Sequence, residues 1–372
     1  MDFVIFFTVI VCCTFIFCYY ISTIYRKEHI RDIRSTHENN IYLTFVFILV
    51  GLLVTLRSVV VGNDTETYVE LFERIADLQY GDVLDYLRYE IGYLYLNKFV
   101  SHISTHPQTI LIVTGIITTA SYYLFIKKYS KSVYLSVFMF ILLRYMDQTM
   151  NIIRECIALS ILFYAYNFIE QKKLVPFILS VLFASLFHKT AIIFLAAWLI
   201  VKIPFNIKNL ILLTIGVIIL FINFEILFET SLSLSLFQIY AYYEDGKYFG
   251  DTRIATILQT SMILSFFVLA LYIRKNIGVK TYKNLGYEKM LMLLYVGMCI
   301  MVLSFKFNLF DRIATYFNVF SIIIIPNTVA LIKRFQVRLF IQLAIISLLS
   351  IYYIIIITYR PEWNRIYPYY FF

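Results

Sequence analysis

The chain has 372 residues, of which 61% are hydrophobic, 19% aromatic and 15% charged, and its formal net charge is +9. Because soluble globular domains are about half apolar and about a quarter charged, this composition excludes an ordinary soluble protein and indicates a polytopic membrane protein. In such a protein the location of basic residues matters more than their sum, so the charge does not indicate nucleic-acid binding. The five cysteines lie in or beside apolar runs without a CxxC pair, which indicates neither a disulfide framework nor a zinc site.

Apolar runs separated by charged clusters predict an all-α fold, a single polytopic membrane domain over residues 1–372 with about twelve transmembrane helices. The N-terminal M-D-F-V-I-F-F lacks the features of a cleaved signal peptide, so the first run is expected to be a span. Several runs are shorter than the roughly 20 residues of a perpendicular helix and are expected to be tilted, buried or re-entrant. The candidate spans are 3–25, 41–61, 107–126, 132–147, 152–169, 174–187, 190–201, 208–226, 254–273, 289–306, 313–332 and 339–358.

The distribution of basic residues predicts the orientation. Alternate connections are rich in Lys and Arg, namely 26–40, 127–131, 170–173, 202–209, 274–289 and 333–338. Together they hold 19 Lys and Arg against 5 Asp and Glu, whereas the rest of the chain holds 13 against 18. By the positive-inside rule these connections lie in the cytoplasm. The segment 62–106, with amphipathic helices, the loop 228–252 and the tail 359–372 are then expected on the outer side.

A hydrophobic run that carries one arginine ends in a polar corner at residues 57–68, R-S-V-V-V-G-N-D-T-E-T-Y. A charge at the centre of a bilayer costs at least about 3 kcal/mol, so Arg57 needs a partner or a water-filled cavity. Gly62 and Asn63 predict a turn, and the apolar residues that follow Asp64 recur at helical spacing. The pattern predicts a span, a turn and a surface helix over 65–79.

Polar residues that do not suit a bilayer collect at the predicted outer ends of spans. They are Arg57, Asp64, Glu90, Arg144, Asp147, Gln148, Asn151, Arg154, Glu155, His188, Asp311 and Arg312. Random placement would scatter them over both faces, so this arrangement predicts an outward-facing polar cavity at the membrane surface.

Arg57 and Arg154 are each flanked by apolar residues. Guanidinium groups hold phosphate or diphosphate oxygens with two parallel hydrogen bonds, which favours an anion clamp. A structural ion pair with Asp64 or Glu155, or snorkelling to the lipid headgroups, is the alternative.

Three residues are candidates for a catalytic base. Asp64 could be a carboxylate base or the N-cap of the helix that follows, and Asn63 with Glu66 makes an equally good capping pair. Glu90 follows a charged stretch and could be only solvated. His188, between two short apolar runs, could be a base or phosphate partner, since its proton equilibrium lies nearest neutral pH, or could cap a helix junction.

Hydrogen-bonding groups are dense in L-R-Y-M-D-Q-T-M-N-I-I-R-E, residues 143–155. Helical spacing would place Arg144, Gln148, Asn151 and Glu155 on one face, although the topology requires a reversal near 147–151. Such a face suits sugar hydroxyls.

Two further outer segments are candidates for ligand contact. Asp311-Arg312, with Tyr316 one turn on, is either a ligand site or an interfacial anchor. The loop 228–252 alternates aromatic residues with carboxylates, which suits a carbohydrate but also an aromatic belt.

Taken in order, the motifs at 57–68, E-I-G-Y (90–93), N-I-I-R-E-C-I-A-L-S (151–160), F-H-K-T-A (187–191) and D-R-I-A-T-Y-F (311–317) cover most of the chain. The ordered set resembles the EpsG family of bacterial polysaccharide polymerases, relatives of the Wzy O-antigen polymerases.

The resemblance implies a GT-C-like polymerase that joins undecaprenyl-diphosphate-linked oligosaccharide units on the outer face of the bacterial plasma membrane. It implies that Arg57, Arg154 and Arg312 bind the diphosphate and that Asp64, Glu90 or His188 deprotonates the acceptor hydroxyl. Tyr68 and Tyr316 are expected to contact substrate. No cofactor or metal is expected, and a flippase and a chain-length regulator are the expected protein partners.

Two other functions stay open at this point. A lipid-linked-oligosaccharide flippase or other transporter would distribute charges through the membrane to both faces, often with repeated halves, and neither feature is visible. An O-antigen ligase would need almost the same donor site as a polymerase.

Overall fold

The computed structural model describes residues 32–86, 88–232, 254–359 and 364–372. Within these ranges every regular element is a helix, and the isolated bridge between Arg57 and Phe371 is the one extended pairing. The all-α prediction is therefore confirmed for the described residues. The predicted span 3–25 lies outside them, and of the loop 228–252 only 228–232 is described, as the end of a helix.

The helices follow one another through mostly short connections, and most coincide with the predicted apolar runs. They are α1 Asp32–Thr55, α2 Thr65–Asp77, α3 Ile91–Ser101, α4 Gln108–Tyr129, α5 Val133–Leu142, α6 Tyr145–Asn151, α7 Ile153–Glu170, α8 Leu174–Ser185, α9 Ala197–Ile200, α10 Ile207–Ile222, α11 Phe224–Leu232, α12 Ile254–Ile277, α13 Val279–Asn284, α14 Tyr287–Leu303, α15 Phe310–Asn318, α16 Ser321–Ala330 and α17 Phe335–Tyr359, with 3-10 helices at Asp82–Tyr86 and Lys189–Ala196.

Apolar helices of membrane-spanning length identify a membrane protein. Among the described residues, 4 stretches are long and apolar enough to cross a membrane: Gln108–Tyr129, Thr256–Ile277, Phe310–Ala330 and Phe335–Tyr359. Shorter apolar helices of 10–17 residues are Asn39–Thr55, Val133–Leu142, Leu174–Ser185, Lys189–Ile200 and Ile207–Ile222. The predicted total of about twelve spans stays a prediction.

The described residues form two compact units. The first combines the residues up to Ile192 with Leu339–Phe372, and the second is Ile193–Arg338. The motifs at 57–68, 90–93, 151–160 and 187–191 lie in the first unit.

The core of the first unit holds the amphipathic helices α2 and α3 against α4 and α7. The predicted helix over 65–79 is confirmed, since α2 spans Thr65–Asp77 and buries one face. Its Phe72 packs in one cluster with Tyr93 of α3, Leu111 of α4 and Ile153 of α7. Because burying such a side chain contributes about 1.5–3 kcal/mol, the cluster fixes the elements that carry the polar motifs.

The helices are interrupted before and after residues 147–151, and not within that segment. Arg144, with φ 70 and ψ 18, adopts the left-handed conformation and separates α5 from α6, and Ile152 separates α6 from α7. The predicted span 132–147 is therefore divided between two helices, and Arg144 and Glu155 do not share one continuous helical face.

The C-terminal residues 364–372 pair with the polar corner. The backbone N–H of Ser58 donates to the carbonyl of Tyr370 at 2.9 Å, and that of Gly62 donates to Arg365 at 3.0 Å. The hydroxyl of Tyr369 donates to the carbonyl of Leu53 at 2.5 Å. The tail thus adds to the packing around the end of α1.

In the second unit α14 packs against α12 and α15. A Cβ on Gly297 of α14 would lie 2.3 Å from Oδ1 of Asn318, so glycine permits the close approach of these helices. Arg274 and Glu288 form an ion pair of 2.5 Å that ties α12 to the start of α14.

Candidate functional site

Three predicted residues from distant parts of the sequence meet at the carboxylate of Glu90, which is buried. Nη1 of Arg154 donates a hydrogen bond to Oε2, and Nδ1 of His188 lies 3.3 Å from Oε1. The backbone N–H of Lys189 also donates to Oε1, at 3.3 Å. We call Glu90, Arg154 and His188 the Glu90 cluster. It joins the start of α3, the first turn of α7 and the junction that follows α8.

The electrostatics of the cluster keep Glu90 ionised. Burial raises the pKa of Glu90, but the adjacent imidazole of His188 and the positive charge of Arg154 outweigh burial and lower the pKa from 4.5 to about 2. A carboxylate with so low a pKa is a weak base at neutral pH. Glu90 is therefore suited to hold Arg154 and to orient the imidazole of His188, rather than to accept a proton itself.

Two tyrosine rings fix the guanidinium of Arg154. Its Cζ lies 5.1 Å from the ring centroid of Tyr89 and 5.8 Å from that of Tyr68, and Nε lies 3.4 Å from the Tyr68 hydroxyl. Such cation–π contacts contribute about 0.5–2 kcal/mol each. The Arg154 side chain keeps 21% of its surface exposed, so an anion can reach it. Tyr68 was expected here from the sequence, whereas Tyr89 was missed although it directly precedes Glu90.

A glycine makes the approach of Glu90 to His188 possible. The N–H of Gly92 donates to the carbonyl of Leu186 at 2.8 Å, and a Cβ on Gly92 would lie 2.7 Å from that oxygen. No side chain fits at this distance. The glycine of E-I-G-Y thus lets the start of α3 lie directly against the chain that carries His188.

Arg57 is fully buried, which excludes snorkelling to headgroups in this conformation. Its Nη1 donates to the carbonyl of Val54, while Nε and Nη2 have no hydrogen-bond partner among the described residues. Burial raises the pKa of the Tyr93 hydroxyl, and the charges of Arg154 and Arg57 both act on it in the opposite direction.

Asp64 occupies the N-cap position of α2, but its side chain makes no capping hydrogen bond. Its backbone N–H donates to Oδ1 of Asn151 at 3.1 Å, and Nδ2 of Asn151 donates to Oδ1 of Asn364 at 3.0 Å. Asn151 thus ties the polar corner to the tail. A catalytic role of Asp64 and a sugar contact of Asn151 stay predictions.

A second cluster of buried polar side chains is centred on Asp147. Nε of Arg144 lies 3.0 Å from Oδ2 of Asp147, and the hydroxyl of Tyr353 donates to Oδ1 at 3.2 Å. Glu155 is buried in the first turn of α7, and Oε1 of Gln148 has no hydrogen-bond partner within the described part of the chain. Their predicted sugar contacts stay predictions.

The other predicted residues belong to the second unit. Arg312 is exposed and Tyr316 is fully buried, both in α15. Whether Arg312 acts with Arg57 and Arg154 stays a prediction. In the ranges that the structure describes, no group of at least 3 His, Cys, Asp or Glu side chains is arranged to hold a metal ion.

Comparison with known protein families gives a match over most of the chain. A family model described as EpsG family matches residues 40–371, a range that contains the Glu90 cluster, Arg57, Arg312 and almost all of the C-terminal tail. No curated protein and no solved structure matches the chain.

Proposed function

The chain belongs to the EpsG family, and on that basis we propose that it is a polysaccharide polymerase. In this proposal it is a glycosyltransferase that joins undecaprenyl-diphosphate-linked oligosaccharide repeat units in O-antigen, capsule or exopolysaccharide biosynthesis. The observation that supports it most is the Glu90 cluster, in which the partly exposed guanidinium of Arg154 and the imidazole of His188 both contact the carboxylate of Glu90. Those two groups suit an anionic leaving group and a hydroxyl nucleophile.

His188 is the proposed base. The oxygen of the acceptor hydroxyl forms a bond to the anomeric carbon of the donor sugar, and the bond from that carbon to the diphosphate breaks. The hydroxyl proton passes to His188, and undecaprenyl diphosphate leaves with the electron pair. Glu90 holds the ring through Nδ1, 3.3 Å from Oε1, as a carboxylate orients a catalytic histidine in other enzymes. The low pKa of Glu90 favours this division of roles.

Arg154 is the proposed diphosphate ligand. Its ion pair with Glu90 and its contacts with Tyr68 and Tyr89 hold the guanidinium in place before the substrate arrives. A preorganised cation stabilises the negative charge that develops on the leaving group more than a mobile cation does. Arg57 is the proposed second diphosphate ligand, because its Nε and Nη2 donors have no hydrogen-bond partner among the described residues.

The site is proposed to face the outer side of the bacterial plasma membrane, in a GT-C-like fold with about twelve spans. Arg312 is also proposed to bind diphosphate, as the resemblance implies. A flippase that delivers the lipid-linked units and a chain-length regulator are the proposed partners.

The test is polymerisation by the purified full-length protein in liposomes that contain lipid-linked repeat units. We expect a ladder of longer lipid-linked glycans. Unit-length products only, or movement of the substrate across the bilayer without bond formation, would refute the proposal and favour a transporter. Transfer of unchanged glycan to a different acceptor would favour a ligase.

A further inference from the structure

An apolar groove of about 520 Å³ lies between α4, α7 and α8 in the first unit. Its volume is within the roughly 300–1,000 Å³ of ordinary ligand clefts. Its lining consists of aliphatic, aromatic and serine side chains, with no charged side chain among them. Tyr164 and Leu179 on its rim are each 61% exposed. Because α4 is long and apolar enough to cross the membrane and α8 is a shorter apolar helix, a rim at this position suits contact with hydrocarbon.

The serines of the groove have no hydroxyl donor left for a ligand, although their oxygens can still accept a hydrogen bond. The hydroxyls of Ser121, Ser160 and Ser180 each donate to the carbonyl four residues earlier in their own helix, at 2.7, 2.8 and 2.8 Å. Because these side chains are small and their donors are already bonded, they leave space between the helices and offer no hydrogen-bond donor to a polar ligand. The groove therefore suits a hydrocarbon chain better than a sugar.

The groove leads to the Glu90 cluster along both of its walls. On α7, Ile161 follows Arg154 by seven residues, which is two turns and about 10 Å along the same helix face. On α8, the ring of Phe183 contacts that of Phe187 edge-on at 5.5 Å, and Phe187 directly precedes His188. Ile161 and Phe187 both pack against the same core cluster. The groove therefore begins about two helical turns from Arg154, and a chain that leaves it past the partly buried Ile161 and Phe187 runs towards the Glu90 cluster.

We propose that this groove binds the part of the polyprenyl chain nearest the diphosphate of the lipid carrier, and this rests on the proposed function. The diphosphate lies at Arg154, and the isoprenoid units pass Ile161 and lie over the three serines towards the bilayer. The groove thereby selects a long isoprenoid chain and aligns the reacting end with His188. An ordinary phospholipid acyl chain is the competing occupant.

Photolabelling tests this placement. Full-length protein in liposomes is irradiated with undecaprenyl diphosphate that carries a diazirine in the isoprenoid units next to the diphosphate, and labelled peptides are identified by mass spectrometry. We expect labels within 160–164 and 179–183, which excess undecaprenyl phosphate prevents. Equal competition by phosphatidylglycerol would show ordinary lipid in the groove and overturn the proposal.

Substitutions supply the second arm. Ser180→Trp fills the groove and is expected to lower labelling at least about fivefold, whereas Leu182→Trp, on the same helix, 42% exposed and outside the groove, leaves labelling unchanged. Ser121→Trp fills the groove from α4 and guards against misfolding of one variant. Undiminished labelling in both groove variants would overturn the proposal.

The two proposals can fail separately. Groove labelling by a protein that makes no ladder would refute the proposed polymerase function but support the polyprenyl-binding groove. Normal ladders from both groove variants, with no label in the groove, would refute the polyprenyl-binding groove but support the proposed polymerase function.

Discussion

Arg154 donates a hydrogen bond to the carboxylate of Glu90 across 64 positions of sequence, and the same carboxylate lies 3.3 Å from His188. A buried carboxylate that serves two cationic or polar partners is costly to leave half-paired, because the remaining charge loses its compensation. Substitutions of the three residues should therefore differ in stability, in activity and in pH dependence.

Glu90→Gln should remove a pH-dependent part of the stability. Because the pKa of Glu90 is lowered from 4.5 to about 2, the ionised form stabilises the fold above pH 4.5. This contribution, on the order of 3 kcal/mol, is lost as the pH falls from 4.5 towards 2. Thermal unfolding in detergent should show wild type more stable than Glu90→Gln at pH 7, with the difference shrinking below pH 4.5. A difference that is constant from pH 7 to pH 3 would contradict this electrostatic account.

His188→Ala should lower kcat with little change in KM, since a general base acts mainly in the transition state. The expected loss is about 10²–10⁴-fold, the usual range for such a group. The rate of ladder formation measures it, and imidazole added to the medium should restore part of the rate. His102→Ala is the control, because that histidine contacts Tyr80, 2.9 Å away, and not Glu90. A kcat of His188→Ala within twofold of wild type would exclude the base role.

Gly92→Ala should destabilise the first unit, because the added Cβ would lie 2.7 Å from the carbonyl oxygen of Leu186. Overpacking of this kind costs about 1–3 kcal/mol. Gly81→Ala is the matched control, since nothing lies within 4 Å of a Cβ at that position. Unfolding temperatures measured in detergent should fall for the first variant only, and equal temperatures would argue against the close contact of α3 with Leu186.

Tyr369→Phe should weaken the attachment of the C-terminal tail. The variant loses the 2.5 Å hydrogen bond to the carbonyl of Leu53, which leaves that acceptor unsatisfied at a cost of about 1–3 kcal/mol. Tyr370→Phe is the control, because its side chain is 53% exposed. Limited proteolysis should cut the tail of the first variant sooner. Identical digestion of the two variants would show that the Tyr369 hydroxyl does not hold the tail.

The sequence predicted the positions of helices where charged clusters mark both ends of an apolar run. The run 107–126 became Gln108–Tyr129, and 152–169 became Ile153–Glu170. The break at Arg144 was not predictable in this way. Arg144 is neither glycine nor proline, and it adopts φ 70 beside the buried carboxylate of Asp147, so tertiary contacts rather than local propensity place it there.

The members of the site followed from the sequence better than their pairings did. Glu90, Arg154 and His188 were all candidates, but the sequence suggested Asp64 or Glu155 as the structural partner of Arg154, and the structure gives Glu90. Closeness of two charged residues in sequence is weak evidence for an ion pair, because the fold brings distant segments together. The tail over Arg57 was missed for the same reason, since its contacts with the polar corner are backbone hydrogen bonds that carry no residue pattern.

The central claim is that Arg154, held by Glu90, serves the polymerisation reaction. The most direct measurement compares ladder formation by wild type, Arg154→Ala and Arg74→Ala in liposomes with lipid-linked repeat units. Arg74 is the matched control because it pairs with Glu70 on the exposed face of α2, where its side chain is 64% exposed. We expect Arg154→Ala to insert normally and to lose chain growth by at least about 10²-fold, as removal of a preorganised transition-state contact does, while Arg74→Ala makes normal ladders. Ladders of near-wild-type length and rate from Arg154→Ala would contradict the claim.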